Sequence, residues 1–284
     1  MLVIALILFI LNSILAVKFL AITQNPNRHN FISYVHINKH NYTIRQTVDI
    51  SDLGIITSAT FNGKLISMII IGISKYQICN INKTGQIYNL LNLDMVLDNV
   101  QADDEKLFAI KINDNNCGLA QLDYSLNETV RQYYFSDGIK LTASVIDKDN
   151  DIYYACVGTD DVTLIHSISI KNFVLLSTYG PLSHEQHYAQ YLLIYGDYLY
   201  AFIYNRRRRC IQLVIVNSIT HNIETTLTYH KFDSVRVANI DNNVIYVVMS
   251  YKSHYTFVMV DLYAYHHKYI AISDDQIPIN MWLV

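Results

Sequence analysis

The chain has 284 residues, of which 51% are apolar and 16% are charged, and its formal net charge at pH 7 is −3. This length allows one large domain or two small domains with a sizeable hydrophobic core. The near-neutral charge argues against a general nucleic-acid binder, because such proteins neutralise phosphates with a broad basic surface.

Residues 1–17 form an apolar run that is interrupted only by Asn12 and Ser13. The run is shorter than the roughly 20 residues that a membrane-spanning helix needs, and the small residue Ala16 closes it. The pattern predicts a signal peptide cleaved near residues 16 and 17, and therefore a protein that is secreted or lies in the secretory-pathway lumen. A retained membrane anchor or a buried strand is the alternative, because no Lys or Arg precedes Lys18.

From residue 18 onward, a polar residue followed by apolar or aromatic residues recurs six times. The repeats are anchored at intervals of 42 to 47 residues by Phe19, Leu65, Leu107, Ile152, Leu199 and Ile245. Such a period indicates stacked units that cannot bury their apolar faces alone. Each unit contains four strand-like runs bounded by Asn, Asp, Gly or Ser, for example residues 189–195, 198–204, 211–216 and 223–229. Four short antiparallel strands per repeat are typical of a propeller blade.

Two stretches, residues 90–99 and 183–193, are compatible with short helices instead, the second because Ser183 and Gln186 have the spacing of a capping box.

The two ends of the chain complete each other. The first repeat lacks its innermost strand, and residues 277–284 follow a complete sixth repeat. Pairing these segments would hide two open sheet edges. We therefore predict an all-β, six-bladed β-propeller of four-stranded antiparallel blades over residues 18–284, closed by the C-terminal strand.

One turn carries a resemblance to known propellers. Residues 81–87, INKTGQI, resemble the hydrophobic-Asp/Asn-x-x-Thr-Gly-x-hydrophobic turn of β-propellers with YVTN-like or quinoprotein-like blades, and residues 122–125 and 260–263 are weaker matches. The resemblance extends over the repeats and implies the fold. A single Trp disfavours WD40 and YWTD blades, and the absence of Gly-Gly pairs disfavours kelch blades. No sialidase box is present either, so the resemblance implies no activity.

Three acceptor sequons for N-glycosylation begin at Asn41, Asn82 and Asn127. All three fall in expected turns between third and fourth strands, so glycans would occupy one face of the ring and leave the other face free. The chain also has four cysteines, which fit either two disulfides or buried free thiols: Cys79, Cys117, Cys156 and Cys210.

The strongest charge cluster is Arg206, Arg207, Arg208 and Arg209, expected in a hairpin of the fifth blade. Loops of neighbouring blades would add Arg28, Lys252 and His254 on the face without sequons, and Arg236 lies in an expected inner strand. Such a patch favours an anionic partner, either a protein or an acidic glycan. A solvated hairpin tip or a cleavage site for a basic-specific protease is the alternative interpretation.

His184 and His187 are weak candidates for metal ligands, since residues three apart can share a helical face, but no third ligand is indicated. Arg236, Gln190 and Asp98 lie in or near expected inner strands. They suggest the alternative function, a hydrolase or lyase that acts on a carbohydrate or small polar metabolite at the channel mouth. Glycoside hydrolysis, however, needs two facing carboxylates.

No nucleophile elbow, phosphate loop or dinucleotide turn occurs, and no cofactor is predicted. The sequence thus predicts an exported binding module for a protein or an anionic glycan, with no nucleic-acid partner. Membrane attachment is expected only if the leader is retained.

Overall fold

A computed structural model describes residues 17–38, 41–71, 75–93, 96–112, 117–124, 128–136, 140–158, 162–183, 187–252, 254–272 and 276–284. These residues form 24 strands in six four-stranded antiparallel sheets, together with one short 3-10 turn at Ser51–Leu53 and no α-helix. None of the described segments is a helix long and apolar enough to cross a bilayer. Of the predicted leader, residues 1–17, only Val17 belongs to the described part of the chain, where it begins the first strand.

Each sheet is one blade, and the blades follow one another along the chain. Blade one contains β1 (Val17–Gln24), β2 (Asn30–Ile37) and β3 (Tyr42–Asp49). Blade two contains β4 (Ile55–Phe61), β5 (Leu65–Ile71), β6 (Tyr76–Asn82) and β7 (Ile87–Leu93). Blade three contains β8 (Val96–Ala102), β9 (Lys106–Ile112), β10 (Cys117–Asp123) and β11 (Glu128–Tyr134).

The second half of the chain repeats this arrangement. Blade four contains β12 (Lys140–Asp147), β13 (Ile152–Gly158), β14 (Thr163–Ser169) and β15 (Val174–Ser183). Blade five contains β16 (His187–Tyr195), β17 (Tyr198–Asn205), β18 (Cys210–Asn217) and β19 (Ile223–Tyr229). Blade six contains β20 (Ser234–Asp241), β21 (Val244–Tyr251), β22 (His254–Asp261) and β23 (His267–Ala271), and the last strand is β24 (Ile277–Leu283).

The ring is closed by the C-terminal strand, as the sequence predicts. β24 pairs antiparallel with β1 as the innermost strand of blade one, with Phe19 opposite Leu283 and Ala21 opposite Met281. Met281 is only 2% exposed. The inner strands contact one another in the order β24, β4, β8, β12, β16, β20 and back to β24, which completes a closed circle.

The hydrophobic core is divided among the junctions between blades. Six clusters of buried residues each join two neighbouring blades. In β5, Met68 and Ile70 pack toward blade one, whereas Ile69 between them packs toward blade three. Successive side chains of a strand point to opposite faces of the sheet. A strand that is covered on both faces therefore needs a continuous apolar run, which explains the lack of apolar-polar alternation in the sequence.

The two stretches compatible with helices are strands instead. Residues 90–93 belong to β7 and residues 96–99 to β8, while residues 187–193 belong to β16. The repeat requires the outer strand of blade two at residues 90–93 and inner strands at residues 96–99 and 187–193. Packing in the ring therefore overrides a weak local helix signal. Residues 184–186, which include the proposed capping Gln186, lie outside the described chain.

Candidate functional site

All six inner strands carry a β-bulge, which lies in the first half of the strand in five of them and at the middle of β8. At each bulge the second strand of the blade skips a residue of the inner strand: Thr57, Asn99 with Val100, Thr142, Gln190, Arg236 and Ile279. A bulge bends the strand locally and redirects a side chain. The bulges line the central channel in every blade except the fourth, where Thr142 does not border it. They form one layer near the end of the channel where the inner strands begin.

Most polar side chains of this layer connect neighbouring blades. Gln190 Oε1 accepts a hydrogen bond from the Val235 N–H at 2.6 Å, and its Nε2 donates to the Asp233 carbonyl at 3.3 Å. Gln190 was a candidate for chemistry at the channel mouth, but both ends of its amide are occupied by backbone groups of blade six. The residue is therefore a structural link between blades five and six.

Comparable bonds join four further pairs of inner strands. Their donor and acceptor pairs are Gln101 Nε2 with Ser144 O at 3.1 Å, Asn239 Nδ2 with Met281 O at 3.1 Å, Asn280 Nδ2 with Ala59 O at 3.4 Å, and Val100 N with Ser58 Oγ at 3.0 Å. Between β12 and β16, the buried residues Ala143 and Ala189 share one apolar cluster. Hydrogen bonds to buried backbone groups leave these side chains committed to the structure of the ring.

Two charged side chains of the layer are not used in this way. Asp98 in β8 and Arg236 in β20 lie three inner strands apart, and therefore on opposite sides of the channel. The Asp98 carboxylate accepts a hydrogen bond from the Asn99 N–H at 2.8 Å. Burial raises the pKa of Asp98, and this hydrogen bond partly opposes the rise. The Arg236 guanidinium is exposed and lies 5.7 Å from the centre of the Tyr255 ring.

The channel is a cavity of about 1230 Å³ bordered by all six inner strands. Its charged lining residues, within the described chain, are Asp98, Arg236, Arg28 and Lys148. Lys148 lies at the far end, in the turn after β12, where its Nζ is 3.5 Å from an Asp104 carboxylate oxygen. Asp98 is thus the one carboxylate among the described lining residues, whereas the glycoside-hydrolase alternative calls for two.

The arginine cluster forms the tip of a tight hairpin. Asn205 and Cys210 pair across β17 and β18, so that residues 206–209 make a four-residue turn. The Arg208 N–H donates to Asn205 Oδ1 at 2.8 Å, and Asn205 is only 3% exposed. All four arginine side chains are exposed. The hydrogen bond from the buried asparagine constrains the backbone of the turn that carries the exposed arginines.

Cations from neighbouring blades emerge at the same end of the ring. Arg28 lies between β1 and β2, and Lys252 and His254 lie at the connection from β21 to β22. Like the arginine hairpin, these turns join the second and third strands of their blades, and in antiparallel blades they lie where the inner strands begin. His230 and Lys231, exposed between β19 and β20, belong to this end too. The sequence analysis did not include these two residues. Their position between the last strand of one repeat and the first strand of the next would have placed them at this end of the ring.

The sequons lie in the other set of turns. Asn41 is exposed between β2 and β3, and Asn82 ends β6. The Asn82 Oδ1 also accepts hydrogen bonds from the Thr84 and Gln86 N–H groups at 2.9 and 3.0 Å, so it shapes the turn. Asn127 lies outside the described residues.

The histidine pair remains an untested prediction. His184 lies outside the described residues, and His187 begins β16 without a described side chain. Across the described chain, no three His, Cys, Asp or Glu residues are arranged to hold a metal ion.

All four cysteines are free thiols, which decides between the two alternatives left by the sequence. They lie in four different blades, and Cys79, Cys156 and Cys210 are buried. Burial raises the pKa of Cys79 to about 11 and that of Cys156 to about 12. A thiol reacts as the thiolate, so these groups are shielded packing residues in the folded protein.

Comparisons with known proteins identify the fold and no family. No protein-family model matches the chain, and no curated protein matches its sequence. The structure of a nidogen/laminin complex matches with a TM-score of 0.67 and 10% identity, covering 93% of this chain and 97% of the other. TolB from Acinetobacter baumannii matches with a TM-score of 0.69 and 10% identity, covering 93% of this chain and 66% of TolB.

A protein from Lactobacillus plantarum matches with a TM-score of 0.59 and 9% identity, covering 95% of this chain and 100% of the other. At such low identities the likeness concerns the path of the backbone. The chain is therefore a six-bladed β-propeller, in agreement with its strand order and closure.

Proposed function

We propose that this protein is a binding module that recognises an acidic protein surface through the end of the ring that carries the arginine hairpin. The observation that carries the proposal is the hairpin itself, in which four exposed arginines stand on a turn capped by buried Asn205. Guanidinium groups form bidentate hydrogen bonds with carboxylates, so a fixed group of them suits a surface rich in Asp and Glu.

Cations of two neighbouring blades and of the connection between blades five and six support the same interpretation. Blade one supplies Arg28, blade six supplies Lys252, and the connection into blade six supplies Lys231. Each exposed ion pair contributes only about 0.2–1 kcal/mol, so several pairs must act together. Charges at the rim of an interface mainly raise the association rate and make it sensitive to salt. We therefore expect binding that weakens as ionic strength increases.

A protein is the favoured partner, and an acidic glycan is the alternative that the experiment distinguishes. A chain with a similar backbone path occurs in the structure of a nidogen/laminin complex, which is a complex between proteins. Export and glycosylation belong to the same proposal. A leader at residues 1–17 would direct the chain to the secretory pathway, and glycans at Asn41, Asn82 and Asn127 would leave the arginine end free.

The partner can be sought by affinity capture with two charge-matched variants. The first replaces Arg206, Arg207, Arg208 and Arg209 with alanine. The control replaces four exposed lysines at the opposite end of the ring, Lys18, Lys64, Lys106 and Lys171, with alanine. We expect the arginine variant to lose a partner that the natural protein and the lysine variant both retain, with the loss larger at low salt.

Recovery of the same partners by both variants would reject the arginine hairpin as the binding surface. Capture that is abolished by glycosaminoglycan-degrading enzymes would identify an acidic glycan instead of a protein. Export is tested separately on secreted material by intact mass before and after removal of N-glycans. A mature chain that begins near Val17 and loses mass on deglycosylation is expected, whereas a retained Met1 would indicate an anchor.

A further inference from the structure

The layer of bulges at the channel mouth is the strongest candidate for a second site. It combines a cavity of about 1230 Å³ with two charged side chains of opposite sign on opposite sides. The amides of Gln190, Gln101 and Asn280 are engaged in hydrogen bonds between blades. These amides are thus engaged within the ring, whereas Asp98 and Arg236 border the cavity without such links between blades.

The two charges lack compensating protein partners. In the described part of the chain, Asp98 has one hydrogen bond, from its neighbouring Asn99 N–H, and no ion pair. Arg236 contacts the Tyr255 ring and forms no ion pair with any described residue. Asp98 is partly buried, and a partly buried charge without a counter-ion loses solvation and gains little in return. Arg236 is exposed and accessible to an anion. A ligand that supplies both counter-ions would recover the loss at Asp98 and pair with Arg236.

Arg28 gives the positive side of the cavity a second cation. It lies in blade one, next to the blade that contains Arg236, and borders the same cavity. An anionic group would therefore be drawn to the side of blades one and six. Asp98 in blade three would repel a second anionic group and would favour a protonated amine.

We propose that the channel mouth binds a small zwitterionic molecule, such as a short peptide, whose carboxylate pairs with Arg236 and Arg28 and whose ammonium group pairs with Asp98. This site shares Arg28 with the cations of the proposed partner surface, but none of the arginines at residues 206–209 borders the channel. Because an extended chain spans at most about 3.3–3.6 Å per residue, a ligand of suitable length can bridge the two charged sides while its middle stays in the cavity.

Oligoglycines of two to five residues test this proposal, because they differ only in the distance between their terminal charges. Their binding to the mature full-length protein is measured by isothermal titration calorimetry at millimolar peptide. We expect an optimal length, with affinity about tenfold lower after N-acetylation or C-amidation, a loss in the range measured for charge-assisted hydrogen bonds. Affinity that is indifferent to both caps, or no saturable binding at any length, would overturn the proposal.

Variants then assign each charge to one end of the ligand. D98N should make the free and N-acetylated peptides bind equally, and R236Q should make the free and amidated peptides bind equally. The alanine variant of residues 206–209 should bind oligoglycine like the natural protein, which separates this site from the proposed partner surface. If D98N retains the full preference for a free amine, Asp98 is not the contact, and circular dichroism of each variant verifies the fold.

Discussion

Closure of the ring by β24 predicts a large penalty for a small change near the C-terminus. Met281 is 2% exposed and packs with Phe19 and Val237 between blades six and one. Leu283, two residues later on the same strand, is 45% exposed. Replacing each with alanine removes apolar atoms from the same strand, but only the first replacement leaves a cavity.

The expected magnitudes follow from burial. Exposing a buried methionine costs about 1.5–3 kcal/mol, and truncating one to alanine in a core costs about 2–5 kcal/mol when the cavity is included. Truncation of an exposed side chain usually changes stability by about 0.5 kcal/mol or less. We therefore expect M281A to lower the free energy of unfolding by at least about 1.5 kcal/mol relative to L283A.

The chain offers a built-in probe for this measurement. Its only tryptophan, Trp282, lies in β24, with its ring centre 6.0 Å from that of Phe61. Urea unfolding followed by Trp282 fluorescence reports on the closing strand, while far-ultraviolet circular dichroism reports on all the blades. M281A should shift the fluorescence midpoint strongly and L283A should shift it little. Equal midpoints for the two variants would refute the closure of the ring by a buried C-terminal strand.

Three further predictions concern the turns, the channel and the thiols. G85A should cost about 1–3 kcal/mol more than G63A in urea unfolding. Both glycines have a positive φ, but a Cβ at Gly85 would lie 2.5 Å from a side-chain carbon of blade one, whereas a Cβ at Gly63 would meet open space. Equal costs would count against the close packing of Gly85 on blade one. Because burial raises the pKa of Asp98 above its unfolded value, ionisation in the folded state destabilises the protein. D98N should therefore be more stable than the natural protein at pH 7, with the difference vanishing below about pH 4, and an advantage that grows on acidification would contradict this sign. Iodoacetamide at pH 7.5 should modify half-buried Cys117 first and Cys156 only on unfolding, since burial raises the pKa of Cys156 to about 12. Mass spectrometry measures the order of labelling, and rapid labelling of Cys156 would show that its blade opens readily.

The strands were predictable because their apolar runs are long and bounded by turn residues. The expected strand at residues 211–216 corresponds to β18, Cys210–Asn217, with one further residue at each end. The segment at residues 90–99 was ambiguous because Leu90 and Leu91, which are exposed on an outer strand, follow a helical as well as an extended pattern. Local periodicity does not distinguish one helix from two strands in this segment. The four-stranded blade does, because blade two needs an outer strand there and blade three needs an inner strand.

The candidate sites were only partly predictable. Consecutive arginines at residues 206–209 are visible in any reading of the sequence, and their place in a hairpin follows from the repeat. The bulge that carries Arg236 is set by hydrogen-bond register, which leaves no trace in residue type. Gln190 and Asp98 are both polar residues of inner strands, yet one links two blades while the other faces the channel. That difference depends on which backbone group each side chain reaches.

The meeting of β1 and β24 in one blade has a practical consequence. The Val284 N–H donates to the Lys18 carbonyl at 3.2 Å, so the first and last strands begin and finish side by side. This point lies at the end of the ring away from residues 206–209. A tether attached after Val284, or directly before Val17, would therefore lie at the end of the ring opposite the arginine hairpin. Joining Val284 to Val17 with a short linker and opening the chain between two other blades should yield circularly permuted proteins with the same fold.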